Sequence, residues 1–180
     1  MHFPDLFANP TKNVMQMGLR EGMRVGDFGA GSGHYAIAAA GIVGPAGLVY
    51  AVDVQEDIGK HIRDEAAKRK LKNIETIWGD IEKPGGTKLR DHTLDAVILS
   101  NTLFQLSTKD AAVAEIRRVL KPGGMLLVAD WAGSYNGMGP AEAQIVPEHD
   151  AEELFITAGF HKVKGFRGGP HHYAILFASP

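Results

Sequence analysis

Three glycines spaced by two, Gly29, Gly31 and Gly33, follow the apolar-leaning run Met23–Phe28, and Asp27 stands two residues before the first of them. Ala30 and Ser32 fill the gaps, and His34-Tyr35-Ala36-Ile37-Ala38-Ala39-Ala40 comes next. Glycine lets backbone turn through positive φ and approach a ligand closely. The free N–H groups of a helix start then face whatever the turn holds. A dinucleotide-binding loop reads Gly-x-Gly-x-x-Gly. Here the spacing is Gly-x-Gly-x-Gly, and a pyrophosphate beside Asp27 would be repelled. A carboxylate at that place attracts an ammonium instead. The loop therefore suits a ligand with a cationic group near the end of a strand.

Further polar groups sit at the ends of later apolar runs. Leu48-Val49-Tyr50-Ala51-Val52 ends in Asp53, twenty residues after Gly33 (53 − 33), with Val54 behind it. An acid at that distance grips ribose hydroxyls in nucleotide-binding βαβ units; the plainer reading is a cap for the next helix. Asp80 and Ile81 follow Ile74–Trp78 and Gly79. Asn101 follows Asp95–Ser100, and Asp130 lies near the end of Met125–Trp131. His171 and His172 close the stretch Gly168-Gly169-Pro170. A metal site from His34, Asp130 and His171 is conceivable, but no i, i+4 ligand pair supports it, so none is expected.

The intervening segments must position these groups. Asn9-Pro10 reads as an N-cap with proline at the first helical position, opening a short helix that carries Val14, Met15 and Met17 and stops near Gly18. Its methionines are expected to pack onto the sheet. Helices are expected from His34 to about Gly41–Gly44 and over Glu56–Leu71, where Ile58, Ile62 and Ala66 repeat every four residues. A capping box Ser107-Thr108-Lys109-Asp110 should open the next helix, with Val113, Ile116 and Leu120 on its apolar side and Lys121-Pro122-Gly123-Gly124 as its stop. Trp78 is expected in the core. Lys83–Arg90 reads as a loop, and Ser134–Pro147 as a mobile one. The last helix spans His149–Gly159. Lys162–Arg167 and His172–Phe177 read as strands of a hairpin, the sixth parallel to the first five and the seventh antiparallel. Alternating strands and helices from residue 23 onward give an α/β fold: a doubly wound, mostly parallel seven-stranded sheet with a C-terminal antiparallel hairpin. Residues 1–22 form a short N-terminal helical segment and residues 23–180 one ligand-binding domain.

Composition narrows the classes. The 180 residues are 44% hydrophobic and 22% charged, with net charge −2, ordinary for a globular chain. Nothing suggests a broad basic surface, which argues against a nucleic-acid partner. There is no cysteine, which removes disulfides, thiolate ligands and cysteine nucleophiles. No leader pattern or membrane-length apolar run stands out, so a cytoplasmic location is the expectation.

The motif Asp27–Gly33 resembles the first motif of class I S-adenosylmethionine (SAM) dependent methyltransferases, acidic-x-Gly-x-Gly-x-Gly. Asp53, Asp80 and the stretch Arg118-Val119-Leu120-Lys121-Pro122-Gly123-Gly124 match later motifs in the same order. The resemblance covers nearly the whole chain. It implies a Rossmann-like methyltransferase fold and SAM as cofactor, held by Asp27, Gly29, Ala30, Gly31, Gly33, Asp53, Val54, Asp80, Ile81 and Asn101. In that family the acid after the third strand accepts the adenine amino hydrogen, the role implied for Asp80. Ser100-Asn101-Thr102-Leu103, with the later Lys-Pro-Gly-Gly, is similar to the branch holding quinone-biosynthesis and arsenite methyltransferases. Arsenite methylation needs thiolates, which are absent. So are the paired prolines of amino-methylating members and, at Ser100-Asn101, the acid that metal-dependent catechol enzymes require.

The implied reaction is methyl transfer to a small-molecule acceptor. Ligands of such sheets bind at the carboxyl ends of the strands, so base candidates are His171, His172 and Asp130, with His34 and Tyr135 beside them. An alternative reading is a SAM-binding module, a pseudoenzyme or a subunit whose site a partner completes. A nicotinamide-binding protein is opposed by Asp27 and the glycine spacing. Oligomeric state is open.

Overall fold

The computed structural model describes residues 8–135 and 139–180. The start of the N-terminal segment and residues 136–138 of the Ser134–Pro147 loop lie outside the described residues. Seven strands, β1 (Arg24–Phe28), β2 (Leu48–Asp53), β3 (Ile74–Trp78), β4 (Leu94–Ser100), β5 (Leu120–Trp131), β6 (His161–Gly169) and β7 (His172–Ala178), form one sheet in the order β3-β2-β1-β4-β5-β7-β6. Pairs among β1 to β5 are parallel. β7 is antiparallel to both β5 and β6, so β6 points the same way as β5. Strand order reverses between β1 and β4, which opens a crevice at their carboxyl ends.

Helices α1 (Pro10–Met15), α2 (His34–Val43) and α3 (Glu56–Lys68) pack on one face; α4 (Lys109–Val119) and α5 (Glu148–Thr157) pack on the other. The central strands are apolar on both sides for this reason: Val25 joins the α2 side and Phe28 the α4 side, both fully buried. The N-cap of α1 is Asn9, whose Oδ1 accepts from Lys12 N at 3.0 Å.

Five local expectations are corrected. Met17 is buried, but Met15 is 63% exposed, because α1 packs on the sheet through the face that carries Asn13 and Val14, and Met15 lies off that face. Trp78 is 60% exposed: β3 is the sheet edge, and its indole Nε1 donates to Val54 O at 3.0 Å. The helix over Glu56–Leu71 stops at Lys68, and Lys70 turns through φ 57°. The capping box is not made. Thr108 is the N-cap of α4 without a side-chain cap bond, and its N–H donates to the Glu82 carboxylate of a neighbouring loop. α4 ends at Val119, and Leu120, expected on its apolar side, is its C-cap and already pairs with Leu94, so Lys121–Gly124 form a bulge inside β5 rather than the helix stop. A proline cannot donate to the ladder and is tolerated there. Among the described residues no helix is long and apolar enough to cross a membrane.

Candidate cofactor site

The glycine loop leaves β1 and enters α2 at the carboxyl edge of the sheet. Gly29, Gly31 and Gly33 take φ of 70°, 47° and 76°. The outer two are packed against the chain itself. A Cβ on Gly29 would lie 2.4 Å from Thr102 Oγ1, and one on Gly33 would lie 2.7 Å from Ile62 Cγ1. A Cβ on Gly31 would meet only Gly29 O, at 3.9 Å. The middle glycine therefore faces open space.

That space is a cleft of about 250 Å³ lined by Gly31, Asp53, Val54, Asp80 and Ile81, with Thr102 and Gln105 across from them. Residues singled out in the sequence thus meet in one cavity. Asp53 Oδ2 accepts from Gly31 N and Oδ1 from Gln55 N, both at 2.9 Å. The N-cap of α3 is Gln55, without a side-chain cap bond, so Asp53 does not cap that helix; its carboxylate is pinned between the glycine loop and the turn before α3. Each oxygen has a second acceptor position, enough for two hydroxyls. Asp80 Oδ1 accepts from Glu82 N at 3.0 Å, and Oδ2 pairs with Lys83 at 3.1 Å.

Asp27 does not line the cleft; it lies near the end of β1, just before the glycine loop, and is 2% exposed. Its Oδ2 has no hydrogen-bond partner among the described residues; neither do Ser100 Oγ and Asn101 Oδ1 at the end of β4, the neighbouring strand. Buried polar atoms left without partners cost stability. Burial pushes the Asp27 carboxyl up to about 8; the Ala36 N–H in the first turn of α2 opposes this, and the Asp53 charge adds to it. Asn101 holds φ 52°, and its carbonyl accepts from Gln105 Nε2 at 2.7 Å. Gln105 is absent from the sequence reading; its spacing of four from Asn101 is the available signal. Ala30 and Gly33 shape the turn: Ala30 N donates to Val52 O and Gly33 N to Ala30 O. His34 Nδ1 lies 2.8 Å from Ser32 Oγ, a contact local to the loop.

The hairpin tip sits at the same edge, with His172 opposite Trp131. The two histidines differ. His172 is 2% exposed, packs on Trp131 at 4.3 Å, and neither ring nitrogen has a partner among the described residues. Burial, with a smaller contribution from His171, lowers it to about 4, so it is neutral at pH 7. His171 is half-buried and stacks on Tyr135 at 3.9 Å. Asp130 is turned away: Oδ2 accepts from Leu103 N at 2.9 Å and Oδ1 from Trp131 N at 2.8 Å. Burial raises it to about 6 against these bonds. Its geometry is that of a cap on the turn Leu103–Gln105. Among the described residues no group of three or more His, Cys, Asp or Glu is placed to hold a metal ion.

Comparisons with known proteins bear on family and fold. The ubiquinone/menaquinone biosynthesis C-methyltransferase UbiE of Pseudomonas putida strain F1 is 36% identical over 120 residues, 66% of this chain and 46% of that protein. The namesake of Cupriavidus taiwanensis is 33% identical over 119 residues, 66% of this chain and 47% of that protein. The chain thus spans about half the length of the curated relatives it matches. A solved SAM-dependent methyltransferase from Aquifex aeolicus superposes with a TM-score of 0.87 at 29% identity, over 96% of this chain and 90% of that one. The family model described as a methyltransferase domain matches residues 19–159, and the chain belongs to that family.

Proposed function

We propose that the protein transfers a methyl group from SAM to a small-molecule acceptor. The observation that carries this reading is the cleft in which Asp53 and Asp80 meet Gly31 of the glycine loop, with the orphaned Asp27 Oδ2 on the strand that leads into that loop. The residues fit the cofactor at three points. Asp27 and Asn101 would meet the α-ammonium, Asp53 the ribose hydroxyls, and Asp80 with the Ile81 backbone the adenine. When bound, SAM supplies a methyl already activated on a sulfonium. What remains for the chain is to align the acceptor and exclude water.

The expected place for the acceptor is the edge formed by the carboxyl ends of β4 and β5 and the amino end of β7, beside Asn101, Trp131 and the hairpin tip. A neutral, enclosed His172 is poorly matched as a base at pH 7, because a base works best near the operating pH. It suits orientation of the acceptor by a hydrogen bond. His171, less buried and stacked on Tyr135, is the residue assigned to proton removal where the acceptor carries a proton.

Release of S-adenosylhomocysteine in the presence of a panel of phenolic, enolic and amine acceptors tests the reading. Tight SAM binding with no turnover on any of them would favour the binding-module alternative. With an acceptor in hand, His171→Ala should lower turnover by about 10²–10⁴-fold and remove the acidic limb of the rate profile. His172→Ala should lower turnover without moving that limb. Full turnover in both variants would mean that proximity to the sulfonium suffices. Asp53→Ala should weaken SAM binding by about 1.5–3 kcal/mol, the range for hydrogen bonds to a charged group. An unchanged affinity in a folded variant would remove Asp53 from the site.

A further inference from the structure

The wall of the cleft that carries Asp80 and Ile81 is not self-supporting. It belongs to the segment Gly79–Asp91, which leaves edge strand β3 and crosses to the face of the sheet covered by α4. Glu115, on α4, is 2% exposed and receives five hydrogen bonds. Oε1 accepts from Thr87 Oγ1 at 2.6 Å, Thr87 N at 3.2 Å and Arg118 Nη2 at 2.7 Å. Oε2 accepts from Gly85 N at 3.0 Å and Arg118 Nε at 2.8 Å. Arg118 extends the anchor, donating through Nη1 to Leu89 O at 2.9 Å and Asp91 Oδ1 at 2.6 Å. One carboxylate and one guanidinium thus fix four points of the segment to α4.

The anchored part presses directly on the cleft wall. A Cβ on Gly79 would lie 2.3 Å from Gly86 O, and one on Gly86 would lie 1.8 Å from Asp80 O. Backbone is in contact with backbone there, with no side chain between to absorb a shift. Lys83 N donates to Asp80 O at 3.1 Å and Gly86 N to Lys83 O at 2.8 Å. A displacement at Gly85–Thr87 therefore reaches Asp80 and Ile81 undamped. The Glu82 carboxylate ties the same wall to the N–H of Thr108 at the start of α4.

We infer that Glu115 is a positioning residue for the adenine side of the cofactor cleft, setting affinity for the adenosine half of SAM through Gly85, Thr87 and Gly86 without touching the ligand. The inference rests on the SAM reading above. It also gives the Arg118–Gly124 motif a role, since Arg118 orients the carboxylate that holds the adenine wall.

The test compares ligands and variants in the intact chain. In Glu115→Gln, affinities for SAM and for adenosine should fall together, by about tenfold, the effect of a lost hydrogen bond to a charged group. The turnover number at saturating SAM should stay within about twofold, since an affinity lost equally in ground and transition states leaves it unchanged. Amide hydrogen exchange at Gly79–Glu82 should quicken, a readout that needs no ligand. In combination with Asp80→Ala, the second substitution should cost less than it does alone, because both act on one contact. Thr87→Ala leaves Glu115 bonded to Gly85 and Arg118, and should show the same pattern more weakly; it carries the test if Glu115→Gln does not fold. Unchanged adenosine affinity with unchanged exchange at Gly79–Glu82, in a folded variant, overturns the inference. So does full additivity with Asp80→Ala. Wild-type protein that binds neither SAM nor adenosine would instead overturn the cofactor reading, and the exchange measurement would still decide the positioning role.

Discussion

Gly31→Val is expected to abolish SAM binding while leaving the sheet folded. Gly31 is the loop position whose Cβ would enter the cleft rather than the chain, with only Gly29 O within 4 Å. Its neighbours behave differently: side chains at Gly29 or Gly33 would strike Thr102 or Ile62, so those substitutions confound folding with binding. At Gly31 the cost to the fold is mainly the backbone, since a β-branched residue at φ 47° is strained by roughly 1–2 kcal/mol. That is small beside the stability of a domain, typically about 5–15 kcal/mol. Binding should weaken by more than about 10²-fold, because Asp53 and the N–H of Gly31 meet at that spot and a ligand held there has no room to move aside. Circular dichroism and thermal unfolding check the fold, and calorimetric titration checks the affinity. Gly31→Ala separates strain from obstruction: it carries the positive-φ penalty with two fewer methyl groups. Wild-type affinity in the valine variant would put the cofactor elsewhere.

The second large effect concerns Asp27 and pH. Its carboxyl is pushed up to about 8 in the ligand-free protein, first by burial and further by the Asp53 charge, whereas in an unfolded chain it titrates near 3.9. Between those values the folded protein holds a proton that the unfolded chain has lost. Stability from this group is therefore full below about pH 4 and falls as pH rises towards 8. A bound α-ammonium reverses the balance by favouring the carboxylate. SAM binding at pH 7 should accordingly release close to one proton, seen as a dependence of the calorimetric enthalpy on buffer ionisation. Asp27→Asn should abolish that release, flatten the stability loss between pH 4 and 8, and weaken SAM by about 2–5 kcal/mol, the cost of removing one partner of a buried charge pair. Proton release that persists in the asparagine variant would assign the linkage to another group.

The chemistry of the cofactor site is legible in the chain because it is local. Asp27, the alternate glycines and Asp53 are tied by spacing along one strand-turn-helix-strand unit, and backbone sterics dictate what Gly31 can be. The strands follow for the same reason: apolar runs such as Val97-Ile98-Leu99 are suited to burial on both faces. What spacing cannot decide is which polar groups end up facing one another across the sheet. Asp130 and His172 occupy similar places in the sequence pattern, each expected at the carboxyl edge of the sheet. Alternation and packing turn Asp130 to cap the Leu103 turn and enclose His172 against Trp131, and that burial, not residue type, lowers the imidazole to about 4. Trp78 departs from its expected place because hydrophobicity says nothing about which strand becomes the edge. The Ser107–Asp110 box does not form because α4 starts one residue later, with Thr108 as its N-cap and the Thr108 N–H held by Glu82 from a loop far away in sequence. The geometry of the glycine loop and of Asp53 beside it is thus determined by the sequence through short-range sterics. The protonation of the buried acids, the support of the wall that carries Asp80 and Ile81 and the separate fates of the two histidines are decided by the tertiary structure, because desolvation and long-range hydrogen bonds exist only once distant segments meet.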